Sequence, residues 1–291
     1  MMLGKRLYLI TLLLVIGLFI TACGTKDLTK GKTAKEILEA SYQKMADINN
    51  FDMNIQMKMK MTPPGQEPVD INIKGTATIF QKPMRLKMVL SMNDPQSDKM
   101  LTVEQYLEET KEGMNIYQKM NDQWFKMVFK DDAFAKMINM DPTKSLAVYL
   151  ENLERAEILN EEKIGEKETV KIEMVVSSKM YDEIMKSLPS GNMMPNQLPL
   201  APGILSQIGD IKGIIWIDKL TLDIVKTSMD MTENIHNLGD ALVKNGNFPK
   251  EAAEVFSSME MSTEYEIVNQ NKAQEFAIPE EALKAQELPI Q

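Results

Sequence analysis

From Phe51 onward the apolar residues of this chain fall at every second position, and that period decides its fold class. Phe51, Met53, Ile55, Met57, Met59 and Met61 alternate with Asp52, Asn54, Gln56, Lys58 and Lys60. Successive side chains of an extended chain point to opposite faces, so the run predicts a strand with one apolar and one wet face. The pattern returns in Ile71, Ile73, Ala77 and Ile79 after Pro63-Pro64-Gly65, then in Leu86, Met88, Leu90 and Met92 after Lys82-Pro83. Met100–Glu108, Met114–Met120 and Gln123–Phe129 follow across short turns, which predicts an antiparallel meander. Ala156–Lys163, Thr169–Val176, Ile211–Asp218, Ile224–Met231 and Ser258–Val268 bring the expected total to about eleven strands. The class is α+β: a single antiparallel sheet, wide enough to curl, packed over several helices.

The helices have their own signals. Thr33-Ala34-Lys35-Glu36 has the spacing of a capping box, and Ile37, Leu38, Met45 and Ile48 continue it, so Ala34–Asp47 is read as an amphipathic helix. Asp131–Ile138 is a short candidate; Asp141-Pro142 offers a cap and first turn, with Leu146, Leu150 and Leu153 on one face. Ser178–Leu188, Glu233–Lys244 (weakened by Gly239) and Pro249–Phe256 are also read as helical, and Pro279-Glu280-Glu281 opens a short one near the end. Leu188–Asp210 mixes Pro189, Pro195, Pro199 and Pro202 with Met193, Met194, Leu198 and Leu200. A connection of this length is functional or disordered, and its apolar content argues against disorder.

The first 22 residues are set apart. Lys5 and Arg6 precede the uncharged run Leu7–Ile20, which is too short for a membrane span of about 20 apolar residues and suits a secretory leader. Thr21-Ala22-Cys23 after that run resembles the lipobox of bacterial lipoproteins, which implies cleavage before Cys23 and diacylation of its thiol. The division expected is a leader over 1–22, a polar tether over 23–32 and one domain over 33–291. Cys23 is the sole cysteine, so no disulfide can form within the chain. Losing Lys5 and Arg6 with the leader leaves 31 basic against 42 acidic residues and takes the net charge from −9 to −11. That surface repels phosphate backbones and excludes nucleic acid as a partner, so anchoring falls to the two acyl chains, palmitate among the usual ones.

The chain offers little to catalysis. Its one histidine, His236, lies in no motif and reads as a surface helix residue. No nucleotide-binding glycine pattern or nucleophile elbow occurs, so no cofactor is expected, and clusters of His and Cys that could hold a metal are lacking. Glu108-Glu109 and Glu161-Glu162 fall at turns and read as solvated. Methionine, at 25 residues, is the outlier. Met57, Met59 and Met61 invite comparison with Cu(I) sites, but their spacing is that of a strand's apolar face, and Met229-x-Met231 and Met259-x-Met261 repeat it. Methionine moulds itself to irregular apolar spaces, so these residues are read as core or as the wall of an adaptable apolar cavity.

Three segments carry a resemblance: the opening helix leading into Phe51–Met61, the stretch Ile214-Ile215-Trp216-Ile217-Asp218-Lys219-Leu220-Thr221-Leu222-Asp223-Ile224, and Phe276-Ala277-Ile278-Pro279-Glu280-Glu281-Ala282. Together they resemble the LolA/LolB/LppX-like superfamily, especially its uncharacterised lipoproteins from Gram-positive bacteria. The resemblance implies a half-barrel: a half-open curved sheet over helices, with an apolar cavity for acyl chains and no catalytic residues. It also implies carriage of lipids or lipoproteins across the envelope or, in one branch, sensing of misfolded envelope proteins. The expected function is that of a non-enzymatic lipoprotein on the outer face of the cell membrane, binding a lipid or other apolar ligand. Met57, Met59, Ile71, Ile73, Met88, Leu90, Met174, Met229 and Met261 would line the cavity, with Leu188–Asp210 as its lip. The alternative is a module that binds an envelope protein without cargo.

Overall fold

The computed structural model describes residues 26–62, 65–93, 99–120, 122–129, 148–180, 203–246 and 250–288. The leader, Cys23, the helices expected at Asp131–Ile138 and after Asp141-Pro142 as far as 147, and residues 181–202 lie outside them.

Strands β1 (Asn50–Met61), β2 (Val69–Gln81), β3 (Met84–Asn93), β4 (Met100–Thr110), β5 (Gly113–Met120) and β6 (Gln123–Phe129) form the first meander. Strands β7 (Leu153–Ile164), β8 (Lys167–Val176), β9 (Ile211–Asp218), β10 (Ile224–Asp230) and β11 (Glu260–Val268) form the second. The two join where β11 pairs antiparallel with β1, giving one sheet in the order β12-β6-β5-β4-β3-β2-β1-β11-β10-β9-β8-β7. All eleven expected strands are present. The addition is β12 (Gln286–Glu287), which pairs parallel with β6, so the sheet has twelve strands and is mostly antiparallel. A two-residue strand on an edge carries no periodicity that a sequence pattern could reveal.

Helix α1 (Ala34–Ala46) packs on one face of the sheet, called here the inner face. Its capping box is complete: Thr33 Oγ1 accepts from the Glu36 amide while the Thr33 amide donates to Glu36 Oε2. Ile37 and Leu38 are fully buried against Val170, Ile172, Ile215, Ile217, Ile224 and Ile267. Each side chain of this kind is worth about 1.5–3 kcal/mol when buried, so this contact contributes several kcal/mol to stability. Lys44 in the last turn donates to the Thr221 carbonyl and pairs with Asp223, tying the helix to the β9–β10 turn. That turn is built by its own acids: Asp218 Oδ1 accepts from the amides of Leu220 and Thr221, and Thr221 Oγ1 donates to Asp223 Oδ2.

Helices α2 (Thr232–Lys244) and α3 (Lys250–Ser257) follow β10. Gly239 lets them touch, since a Cβ built there would lie 2.3 Å from Cβ of Phe256. The glycine that weakens α2 as an isolated helix is the one that permits its packing. Asn234, buried on α2, donates to the carbonyls of Ile208, Gly209 and Asp210 and so fixes the end of a 3-10 turn at Leu205–Ile208. The described end of the Pro-rich connection is therefore docked, with Ile204 packed against Ala241 and Leu242.

On the outer face, Trp216 lies between Lys171 and Lys226, whose ammonium groups sit 5.0 and 5.1 Å from the ring centroid. Its Nε1 donates to Glu162, a hydrogen bond that holds the Glu162 carboxyl below its usual range. The terminal segment lies across the outer face of β4–β6, where Tyr106, Tyr117, Trp124 and Ala282 of α4 (Glu280–Leu283) form a second small core with Phe276 and Ile278. Arg85 stacks over Phe276 at 4.7 Å and donates to the Phe276 carbonyl. Two of the three segments behind the family resemblance thus have architectural work: one builds a turn and a cation–aromatic stack, the other seals the outer face.

Four expectations are corrected. Leu153 opens β7 rather than extending a helix; it pairs with Val176 and is partly buried in the same cluster as Tyr149. His236 is half-buried, with Nε2 bonded to the Met259 carbonyl at 2.7 Å. Glu108 and Glu109 are half-buried within β4 and engaged, Tyr117 donating to Glu108 and the Met84 amide to Glu109, whereas Glu161, which accepts from Lys219, is exposed as expected. The tether is docked from Asp27 onward, because the Leu28 amide donates to the Lys219 carbonyl and Asp27 pairs with the Lys219 ammonium. Burial opposes ionisation of Asp27, but hydrogen bonds from Thr29 and the Lys219 charge outweigh it and hold the carboxyl at about 2. A depressed carboxylate favours the docked state above the unfolded value of about 4 and loses that effect as pH falls toward 2.

Candidate functional site

Antiparallel pairing places opposed residues on the same face, so the register itself maps the inner surface. One row runs Leu101, Met92, Ile73, Met57, Thr263, Met229, Gly213, Met174, Ala156 across nine strands from β4 to β7. The next runs Val103, Leu90, Gly75, Ile55, Tyr265, Thr227, Ile215, Ile172, Ile158. Met261, Met59 and Ile71 form a third, and Met88 stands opposite Ala77 beside Met53. All nine residues expected to line a cavity therefore share one face of one sheet.

They do not share one environment. Met174 is only 2% exposed; its side chain and that of Met229 lean over Gly213, where a Cβ would meet Met174 Cε at 3.0 Å. Tyr149 Oη also points to its sulfur at 3.6 Å. Met174 belongs to the core. Met57, Met59, Ile71, Ile73, Met88, Leu90, Met229 and Met261 are all half-buried instead, and Leu101 at the end of the row is 43% exposed. The cover thins from β8 and β9, which lie under α1, toward β1–β4.

This half-covered surface is chemically uniform. Among the described residues, no charged side chain occupies an inner-face position of β1, β2, β3, β9 or β11. A flexible thioether surface of this kind adapts to hydrocarbon of irregular shape. A groove of about 640 Å³ at the end of β1, β2 and β11 mixes the two faces: Lys58, Lys60, Asp70, Asn72, Asp230 and Glu260 line it together with Met59 and Met261. A second groove, of about 430 Å³, lies beside the docked tether, between Lys30, Lys32, Lys219 and the apolar Ile37, Ile158 and Val170. Among the described residues no group of three or more His, Cys, Asp or Glu is placed to hold a metal ion. None of their helices is long and apolar enough to cross a membrane.

Sequence reasoning found the apolar residues by their period. It missed Thr263, which sits in the middle of the longest row at 5% exposure with a hydroxyl that has no hydrogen-bond partner. The signal was present as the single polar break between Met261 and Tyr265 in an alternating strand.

The sequence profile described as "Family of unknown function (DUF6612)" matches residues 33–287. No curated protein matches the chain. Among solved structures it is similar to LprF from Mycobacterium bovis, at 14% identity over 86% of this chain and 97% of that one, with a TM-score of 0.46. It is similar to the lipoprotein LppX from Mycobacterium tuberculosis, at 11% identity over 82% of this chain and 97% of that one, with a TM-score of 0.42. A LolA superfamily protein from Nitrosomonas europaea is similar at 12% identity over 82% of this chain and 94% of that one, with a TM-score of 0.24. LppX and the LolA superfamily are the grouping that the sequence resemblance named.

Proposed function

We propose, from the premise that this chain belongs to the family of unknown function DUF6612, that it is a membrane-anchored, non-enzymatic lipoprotein that binds a lipid or other apolar ligand on the inner face of its sheet. The observation that carries the reading is the half-covered, charge-free methionine surface of β1–β3, continued onto β11 and β10. A monomer that leaves an apolar area of this breadth half-covered has a use for it, because such patches are otherwise removed or filled. Acylation of Cys23 would hold that surface beside a supply of acyl chains. Only three residues, Gly24, Thr25 and Lys26, separate Cys23 from the docked Asp27, so the β9–β10 turn would stand within about 15 Å of the anchor point.

Native mass spectrometry of the full chain, purified without strong detergent, tests this. Non-covalent adducts in the mass range of cellular lipids are expected, removable by organic extraction and restored by adding the extract back. A chain that remains empty through gentle purification and add-back would overturn the proposal.

A further inference from the structure

The orphaned hydroxyl on the inner face says more about the ligand than the apolar residues do. Thr263 lies between Met57 and Met229 in register, and its Oγ1 is buried without a hydrogen-bond partner. Leaving a hydroxyl in that state costs free energy, and natural cores seldom carry one without a reason. Valine would have filled the same strand position without that cost. Tyr265, two residues on, and Thr227, opposite Tyr265, share the face, so a small polar island interrupts the hydrocarbon surface near its middle.

We infer that Thr263 is the residue that receives a polar group of the bound lipid, and that this group is a neutral ester carbonyl. The inference rests on reading the inner face as a lipid site. The hydroxyl can donate one hydrogen bond to a carbonyl oxygen. A free carboxylate is disfavoured by charge: among the described residues no Lys, Arg or His occupies the inner-face positions around Thr263, and a buried carboxylate without a cation is costly. The ligand class is therefore an esterified lipid such as an acylglycerol, seated with its chains along the methionine surface and its ester at the island. A free fatty acid anion does not fit. Hydrocarbon alone fits but leaves the hydroxyl unpaired.

The full chain and its Thr263→Val and Thr263→Ser variants can be compared by displacement of an apolar dye at pH 8. Three probes with a single fourteen-carbon chain each separate the cases: methyl myristate, myristate and tetradecane. Thr263→Val is expected to weaken methyl myristate roughly two- to tenfold, the range for one lost hydrogen bond, while tetradecane is unchanged. Thr263→Ser, which keeps the hydroxyl, should restore most of the ester affinity, and myristate should bind the wild type less tightly than the ester. Equal weakening of ester and hydrocarbon, an unchanged ester, or myristate binding as tightly as the ester would each overturn the role of Thr263 while leaving the lipid site standing. Failure of the wild type to bind any of the three would overturn both.

Discussion

Gly75→Ala is expected to lower the thermal unfolding midpoint by roughly 6–12 °C, the shift that about 3 kcal/mol of overpacking produces in a domain of this size. Gly75 sits on the inner face of β2 between Ile55 and Leu90. A Cβ there would lie 2.2 Å from the carbonyl oxygen of Val89 and 2.6 Å from Leu90 Cδ2. The first obstacle is backbone, and it can retreat only by breaking the ladder between β2 and β3. Gly213→Ala supplies the contrast on the same face. There the nearest atom is Met174 Cε at 3.0 Å, the free end of a flexible side chain that can swing away. Thermal melts followed by circular dichroism should show a large shift for Gly75→Ala and a small one for Gly213→Ala. Equal shifts would mean that the close approach of β2 and β3 at Gly75 is not real.

Ile73→Asp is expected to abolish binding of apolar ligands, by about 100-fold or more, while leaving the fold intact. Ile73 is central in the row that runs from Leu101 to Ala156, facing Met57 on one side and Met92 on the other. It is half-buried, so in the absence of ligand an aspartate there can reach water and the stability cost is modest. When hydrocarbon covers the face, the same carboxylate must be buried without a cation nearby, which costs several kcal/mol. Asn72→Asp adds a carboxylate one residue away on the exposed outer face and should leave binding unchanged. Dye displacement on both variants, with melts as a fold control, separates the two faces. Binding that survives Ile73→Asp but fails in Asn72→Asp would move the site to the outer surface.

The sheet was legible because its signal is local and repeated. Period-two runs located all eleven long strands, and the same period placed Met57, Met59, Ile71, Ile73, Met88, Leu90, Met174, Met229 and Met261 on one face. What alternation does not encode is how far along the sheet the cover extends. Met174 and Met57 are equivalent in pattern and in row, yet one is core and the other half-open, because Met174 belongs to the cluster packed with α1 and Met57 does not. Pairing of β1 with β11 joins residues more than 190 positions apart, beyond any window of local pattern. The outer-face core escaped for a related reason: Tyr106 and Trp124 occupy wet-face positions and become buried only when Phe276 and Ala282 arrive from the chain's end. Asn234 and Thr263 show the remaining limit. Both look like ordinary polar residues in sequence, and only the structure reveals that one satisfies three carbonyls while the other satisfies nothing.

The central claim is that the half-covered methionine surface is where an apolar ligand sits, and the methionines report on it directly. Carbon-13 labelling of the methionine methyl groups gives one NMR signal per residue, read before and after addition of dimyristoylglycerol. The signals of Met57, Met59, Met88, Met229 and Met261 should move, while that of Met114, fully buried beside Leu107 and Ile116, should stay in place. Signals from those five residues that do not move at saturating lipid would contradict the account, as would a shift of Met114 as large as theirs.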